Sequence, residues 1–242
     1  AATRTVTAPG GSDIVVNGDL TVDGVFDVAG QTVRVRGDVS GAGTVEIGAG
    51  GTLIVEGNFT PNAVTTAGNS TLRLGGDFSP GTTYDATAAG TNNVVELIDP
   101  SQATDVLGVH TFQVLRIESP GKTVRFQNAV EQTIDTELTV SGSPSNLVSI
   151  ISTVTGDQAT LRSNGATATV DYAYIRDHRT IPGRTANSSE NGGNNAGWTI
   201  NPPGLDNFTV SAIASPQRED VAFSITVTKR DAAGTAITTA DD

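Results

Sequence analysis

The chain has 242 residues and a formal net charge of -12; 36% of its residues are hydrophobic, 17% are charged, and Cys and Met are absent. The lack of Cys excludes a disulfide scaffold and a thiolate metal site, and the acidic charge disfavours binding to nucleic acid or to anionic lipid. No apolar run is long enough for a membrane-spanning helix, so the sequence predicts no transmembrane segment.

The first eighty residues contain a repeat. Four segments share the pattern apolar-x-apolar-x-Gly-(Asp/Asn)-apolar: 14–20 (IVVNGDL), 33–39 (VRVRGDV), 53–59 (LIVEGNF) and 72–78 (LRLGGDF). The glycines are Gly18, Gly37, Gly57 and Gly76, at spacings of 19, 20 and 19 residues. Alternation indicates strands with one buried face, and Gly followed by Asp or Asn is typical of turns that tolerate a positive φ. Short strands repeating every 20 residues or so predict a β-solenoid.

Strand-like runs continue after Gly81 without the regular Gly-(Asp/Asn) step. They cover 94–97, 112–117, 124–126, 138–140, 148–151 and 168–175. Equivalent strands would stack in parallel, about 4.8 Å apart, over an inner apolar column. The sequence therefore predicts an all-β fold, a right-handed parallel β-helix over residues 1–200 with about eight to ten coils. At most one short helix is expected, around 101–107, where Asp-Pro precedes Ser.

The last part of the chain differs in pattern. Residues 201–204 (NPPG) predict a linker, because consecutive prolines break strands and stiffen a junction. In the remaining residues, 205–242, two alternating segments, 208–212 and 221–227, predict antiparallel strands of an Ig-like β-sandwich. A complete Ig-like domain needs about 100 residues. Either the chain is a fragment of a longer protein, or a neighbouring molecule supplies the missing strands.

Two stretches resemble parts of known surface proteins. Residues 170–177 (VDYAYIRD), with 186–189 (ANSS) and 191–198 (NGGNNAGW), resemble the closing coil of right-handed β-helix regions in large bacterial cell-surface and adhesin-like proteins. Residues 208–233 look like the opening strands of the Ig-like modules that follow such regions. The resemblance implies an extracellular, surface-attached or fibre-forming protein, and it carries over no catalytic residue.

Two motifs have a possible binding role. Arg36-Gly37-Asp38 spells the integrin-recognition tripeptide, but the repeat places Gly-(Asp/Asn) in all four segments and so accounts for it. The repeat should also stack Asp19, Asp38, Asn58 and Asp77 at one corner, where their oxygens could hold Ca²⁺. Solvated side chains bonded to their own turns are the interpretation that we favour, so we predict no metal and no cofactor.

The Asn- and Gly-rich residues 187–195 predict a surface loop. Trp198 follows this loop, and we expect its ring to plug the end of the apolar column rather than to stack on a sugar.

Catalytic candidates are few. A β-helical hydrolase would need paired carboxylates, and Asp171 with Asp177 or Glu96 with Asp99 are the available pairs. No repeat register places either pair on one face. His110 and His178 have no partner nearby in sequence that would indicate a triad. We therefore expect that the chain is not an enzyme.

The predicted function is a structural or adhesive module of a bacterial extracellular surface protein or fibre. Such a module could associate with itself as a filament or surface array, with 208–227 of one copy near the first coils and residues 1–13 of the next, and it could contact cell-surface glycans. The alternative is a polysaccharide-binding or polysaccharide-processing β-helix. Aromatic residues make up only 5% of the chain, so a saccharide groove would contain few stacking side chains.

Overall fold

The computed structural model describes residues 5–10, 13–87, 92–204, 207–213, 222–230, 234 and 236–237. Two compact units divide the chain, Ala1–Asn201 and Pro202–Asp242. The first unit is an all-β parallel solenoid of about 9 turns. The described residues form no α-helix, and thus no helix long and apolar enough to cross a membrane.

Three parallel sheets build the solenoid. The first sheet contains Thr5–Thr7 (β1), Leu20–Thr21 (β3), Val25–Asp27 (β4), Val39–Ile47 (β6) and Phe59–Thr66 (β8). The second sheet contains Ile14–Val16 (β2), Thr32–Val35 (β5), Thr52–Val55 (β7), Thr71–Leu74 (β9), Val94–Leu97 (β10), Thr111–Ile117 (β12), Glu131–Ser141 (β14), Ala159–Ser163 (β16), Thr167–Asp171 (β17), His178–Ala186 (β19) and Ala196–Ile200 (β21). The third sheet contains Thr104–Val106 (β11), Thr123–Phe126 (β13), Val148–Ser152 (β15), Ala173–Arg176 (β18) and Glu190–Asn191 (β20).

Alternating side chains along these strands build the core. The register of the second sheet stacks one buried apolar residue per coil in a column: Val33, Leu53, Leu72, Val95, Leu115 and Leu138. Burying one such side chain contributes about 1.5–3 kcal/mol. A single coil cannot enclose a core by itself, so the stability of each coil depends on the coils beside it.

The first and third sheets are joined at Phe78. Its backbone bridges to Phe59 on one side and to Val106 on the other. The Phe78 ring lies 6.1 Å from the ring of Phe59 and 4.9 Å from that of His110, centroid to centroid. Tyr84 also packs here, and burial raises the pKa of its hydroxyl to about 12. This aromatic cluster fills the core where the regular repeat ends.

Two local predictions are wrong. Residues 101–107 are not a helix, because Thr104–Val106 forms β11 and pairs in parallel with β13. Here stacking on neighbouring coils outweighs the local helix-start signal. The repeat glycines are not in the left-handed region either: Gly41 and Gly50 have positive φ, whereas none of the four at the Gly-(Asp/Asn) step does.

The described part of the second unit contains a two-stranded antiparallel sheet of Asn207–Val210 (β22) and Val227–Arg230 (β23). The second strand begins at Val227, the last residue of the predicted segment 221–227, of which residue 221 is outside the described residues. Phe208 pairs with Lys229, and Val210 with Val227. Phe208, Val210 and Val227 are all about half exposed.

Candidate functional site

A hydrogen-bonded ladder runs along one corner of the solenoid. We call it the corner ladder, and its members are Asp19, Asp38, Asn58, Asp77 and Asp105. In each step a side-chain Oδ1 accepts a hydrogen bond from the backbone N–H of the next member, at 2.9, 2.7, 2.9 and 2.8 Å in chain order. The predicted stacking of the first four residues is therefore present. Their bonding partner is the neighbouring coil, however, and not their own turn.

The ladder explains the glycines that precede Asp38, Asn58 and Asp77. A Cβ on Gly37 would lie 2.1 Å from Asp19 Oδ1, and a Cβ on Gly57 would lie 2.2 Å from Asp38 Oδ1. The corresponding distance at Gly76 is 2.6 Å, to Asn58 Oδ1. Glycine is thus required by the close approach of a neighbouring side chain.

The Oδ1 atoms of the ladder already have protein partners. Each of the first four Oδ1 atoms already accepts a backbone N–H, and the carboxylate of Asp105, at the last step, is paired with Arg125 Nε. Within the described ranges, no group of three or more His, Asp or Glu side chains could hold a metal ion.

A shallow groove of about 580 Å³ lies beside the ladder. We call it the corner groove; Arg34, Arg36, Glu56, Asp99 and Gln102 are among the residues that line it. Arg34 Nη1 donates to Glu56 Oε1 at 2.8 Å. The side chain of Arg36 is exposed and has no hydrogen-bond or ion-pair partner among the described residues.

A loop at residues 98–103 forms one wall of the corner groove. Gln102 Nε2 reaches the backbone oxygen of Glu56 at 3.4 Å. Lys122 is fully buried under this loop, and its Nζ donates to the carbonyls of Gly75 (2.7 Å), Asp99 (2.8 Å) and Gln102 (2.9 Å). Burial lowers the pKa of Lys122 to about 8, so the ammonium with its three donors still predominates at pH 7. Lys122 therefore fixes the loop.

The Arg36-Gly37-Asp38 tripeptide lies at this corner. Asp38 accepts the N–H of Asn58, and Gly37 makes room for Asp19. Both residues thus have a place in the ladder. The Arg36 guanidinium is the part of the tripeptide that has no partner in the described part of the chain.

The first of the two candidate carboxylate pairs is held by other groups. Glu96 accepts from Arg73 Nε at 2.7 Å, and Asp99 accepts from the hydroxyl and the N–H of Ser101. The hydrogen bond from Ser101 lowers the pKa of Asp99.

In the second pair the Asp177 carboxylate is held by other groups, whereas Asp171 contacts the neighbouring strand through its backbone. Asp177 is buried, accepts from Asn194 Nδ2 at 2.8 Å, and lies 3.3 Å from Arg176 Nε. The bond from Asn194 lowers the pKa of Asp177. Asp171, at the end of β17, is in register with Ser141, and its carbonyl accepts the N–H of Gly142.

Both histidines are core residues. His110 Nδ1 accepts the N–H of Tyr84 at 3.1 Å, and its Nε2 donates to the carbonyl of Leu107 at 2.7 Å, which identifies the neutral Nε2–H tautomer. Burial lowers the pKa of His110. His178 packs between Phe126 and Trp198, and burial lowers its pKa to about 3.

Trp198 occupies the place that the sequence predicts for it. Its ring packs against the apolar core near the last coil, and its Nε1 donates to His178 Nδ1 at 3.4 Å. The preceding residues 187–195 are more ordered than a simple loop. They include β20, and Asn195 connects to the previous coil by donating to Ile175 O and accepting from His178 N.

Sequence reasoning missed Lys122 and the corner groove. The only sequence signal was the rarity of lysine, since Lys122 and Lys229 are the two in the chain.

Comparison of the chain with protein-family models, with curated proteins and with solved structures finds no match. The likeness to surface-protein β-helices therefore stays a prediction, and the fold rests on the structure.

Proposed function

We propose that the chain is a non-catalytic structural or adhesive module of a bacterial extracellular surface protein or fibre. The observation that carries this proposal is a set of hydrogen bonds and ion pairs that connects charged side chains, including Arg34 and Glu56 of the corner groove, to neighbouring coils. Besides the corner ladder, five ion pairs connect neighbouring coils. Four lie along the second sheet and the last along the third: Arg34–Glu56, Arg73–Glu96, Arg116–Glu137, Arg162–Glu131 and Arg125–Asp105.

The role of such a module is mechanical. Each exposed ion pair contributes only about 0.2–1 kcal/mol. The ladder adds a charge-assisted hydrogen bond at most steps, and the buried column adds apolar contact at each coil. These interactions repeat along the stacking direction, so a load on the solenoid would be shared by many small contacts.

Force spectroscopy tests this role. The chain is held between handles at its two ends and stretched, with Asp38→Ala as the test variant and Asp13→Ala as the matched control, because the exposed Asp13 is not part of the ladder. We expect the parent and Asp13→Ala to unfold at the same high force and Asp38→Ala at a lower one. A parent chain that extends like an unfolded polypeptide would contradict the proposal.

The absence of catalysis is tested separately. Pectin, alginate and other acidic polysaccharides are incubated with the protein, and reducing ends and unsaturated products are measured. We expect no turnover. Product release that a single Asp or Glu substitution abolishes would show that the protein is an enzyme.

Saccharide binding at the corner groove is a second candidate function. It is supported by the unpaired Arg36 guanidinium, which faces solvent beside the acceptors of Glu56 and Asp99 and the amide of Gln102. A hydroxyl group of a neutral glycan can both donate and accept hydrogen bonds, so it suits a groove that presents donors and acceptors side by side.

Calorimetric titration with neutral oligosaccharides tests this candidate. Arg36→Ala should abolish binding, whereas Arg179→Ala, at an exposed arginine outside the groove, should retain it. The candidate is rejected if the parent chain binds none of them or if Arg36→Ala binds equally well.

We also propose head-to-tail association and an Ig-like continuation over 205–242. Alternation in β22 and β23 supports the Ig-like continuation. Of the proposed N-terminal arm, residues 1–4 and 11–12 are outside the described residues, and Thr5–Thr7 pairs with Val25–Asp27 of its own first coils. Deleting residues 1–13 should reduce assembly in sedimentation and electron microscopy; unchanged assembly, or a monomer in both forms, would remove this part of the proposal.

A further inference from the structure

Three Asn-Gly pairs are present in the described residues: Asn17-Gly18, Asn164-Gly165 and Asn191-Gly192. The backbone nitrogen of a residue that follows Asn can attack the side-chain carbonyl carbon of that Asn. Glycine favours this attack because it has no Cβ and its backbone is permissive. The attack also needs an exposed Asn, a glycine N–H that is not hydrogen-bonded, and space around the glycine.

Asn17 meets these requirements. Its side chain is exposed, and the position of a Cβ on Gly18 has no atom within 4 Å. The N–H of Gly18 donates to no acceptor among the described residues, whereas the equivalent N–H groups of Gly37, Gly57 and Gly76 donate to the carbonyl of the glycine one coil earlier.

The other two pairs are hindered. Gly165 N donates to Ser163 O at 3.0 Å, and Asn164 Nδ2 donates to Asp135 Oδ1 at 3.4 Å. The Asn191-Gly192 pair is the more constrained of the two. Gly192 N donates to Ile175 O at 2.8 Å, and a Cβ on Gly192 would lie 2.5 Å from the Tyr174 ring.

Asn191 itself is also restrained. Its Oδ1 accepts from Gly193 N at 3.0 Å and from Asn195 Nδ2 at 2.8 Å. Rotation of this side chain toward Gly192 N would break both bonds.

We propose that Asn17 is a site of spontaneous self-modification. Gly18 N forms a bond to Asn17 Cγ, the bond from Cγ to the side-chain nitrogen breaks, and ammonia leaves with the proton from Gly18 N. Water then opens the cyclic imide at either carbonyl, which yields aspartate or isoaspartate. The overall reaction consumes one water and releases one ammonia, and no oxidation or reduction occurs.

The product places a new negative charge beside Arg36. Val16 is in register with Val35, and Arg36 N donates to Val16 O at 3.0 Å, so residues 17 and 36 occupy equivalent positions in adjacent coils. Such positions are about 4.8 Å apart. The conversion of Asn17 therefore supplies a carboxylate to the guanidinium that lacks a partner, at one end of the corner groove.

Peptide mapping by mass spectrometry in ¹⁸O-labelled water tests the proposal. The folded chain is incubated at mildly alkaline pH, and ¹⁸O incorporation is followed at residues 17, 164 and 191. We expect residue 17 to convert severalfold faster than residue 164, and residue 191 to be slowest. Gly18→Ala is the control, because a methyl group fits at this position and should slow conversion without changing the fold.

A parallel incubation in urea separates structure from local sequence. In the unfolded chain the three sites should convert at similar rates. Equal rates in the folded chain, or a preference for residue 17 that persists unchanged in urea, would overturn the proposal.

Discussion

Replacing Gly57 by alanine is the sharpest test of the corner ladder. The new Cβ would lie 2.2 Å from Asp38 Oδ1 and 2.9 Å from the carbonyl carbon and oxygen of Gly37. Contacts this short must be relieved. Either the Asp38 side chain rotates away and breaks its 2.7 Å bond to Asn58 N, or the coil moves away from its neighbour.

Both responses are costly. A hydrogen bond to a charged group contributes about 1.5–3 kcal/mol, and an overpacked interior costs about 1–3 kcal/mol. The chain takes the less costly response, so we expect Gly57→Ala to lower the free energy of unfolding by about 1–3 kcal/mol, measured by urea denaturation followed by circular dichroism.

The repeat supplies its own control. Gly18 occupies the same step of the pattern, has no positive φ, and has no atom within 4 Å of its Cβ position. Gly18→Ala should be neutral, or stabilising by up to about 1 kcal/mol through the unfolded state.

A double variant tests the stated cause. In Asp38→Ala the nearest clashing atom is gone, so adding Gly57→Ala to that variant should cost less than Gly57→Ala costs in the parent. The reasoning is refuted if Gly57→Ala and Gly18→Ala behave alike, or if the double variant is strictly additive.

Three further variants probe the core and the groove wall. Lys122→Met should lower the free energy of unfolding by about 2–4 kcal/mol, because it removes the donor shared by three carbonyls, whereas Lys229→Met at an exposed position should be neutral. Leu53→Asp puts an unpaired charge in the buried column and should cost several kcal/mol, whereas Thr52→Asp on the outward face should cost far less. His178→Phe should make stability less dependent on pH between 7 and 5. The pKa of His178 is about 3 in the folded chain, so below pH 6.5 the unfolded chain binds a proton that the folded chain does not, and the parent loses about 2 kcal/mol by pH 5.

Each of these outcomes can fail independently. A Lys122→Met protein as stable as Lys229→Met would mean that the three carbonyls find other partners. A thermal melting curve unchanged by Leu53→Asp would contradict the stacked column, and equal pH slopes for the parent and His178→Phe would show that this histidine takes up its proton without unfolding.

The repeat was sufficient to predict the solenoid because its signal is local and periodic. Strand alternation and the 19- and 20-residue spacing placed Asp19, Asp38, Asn58 and Asp77 at one corner. The reason for the glycines was not predictable, because it depends on an oxygen one coil away. The local explanation was a positive backbone φ at these glycines, and none of the four has one.

The remaining errors have the same physical origin. Asp99-Pro100-Ser101 is a valid helix-start signal in isolation, but β11 gains a parallel neighbour by extending. The sequence indicated no role for Lys122, since nothing in it pointed to three unpaired carbonyls around that side chain. The placement of His110 and His178 in the core likewise depends on aromatic neighbours far away in sequence.

The three-carbonyl cage around Lys122 has a consequence for how such a chain can change its length. The loop at residues 98–103 interrupts the even stacking, and an interruption of this kind leaves carbonyl groups facing the interior without a donor. One ammonium, carried by the following coil, satisfies all three at once. An insertion at this corner is then tolerated only together with a compensating donor about twenty residues later. Removing the loop would take away two of the three acceptors and leave the buried ammonium of Lys122 with the carbonyl of Gly75 alone. The loop and its lysine thus form a pair that must be gained or lost together, and grafting both into the regular coils would be the way to build a second groove on the same scaffold.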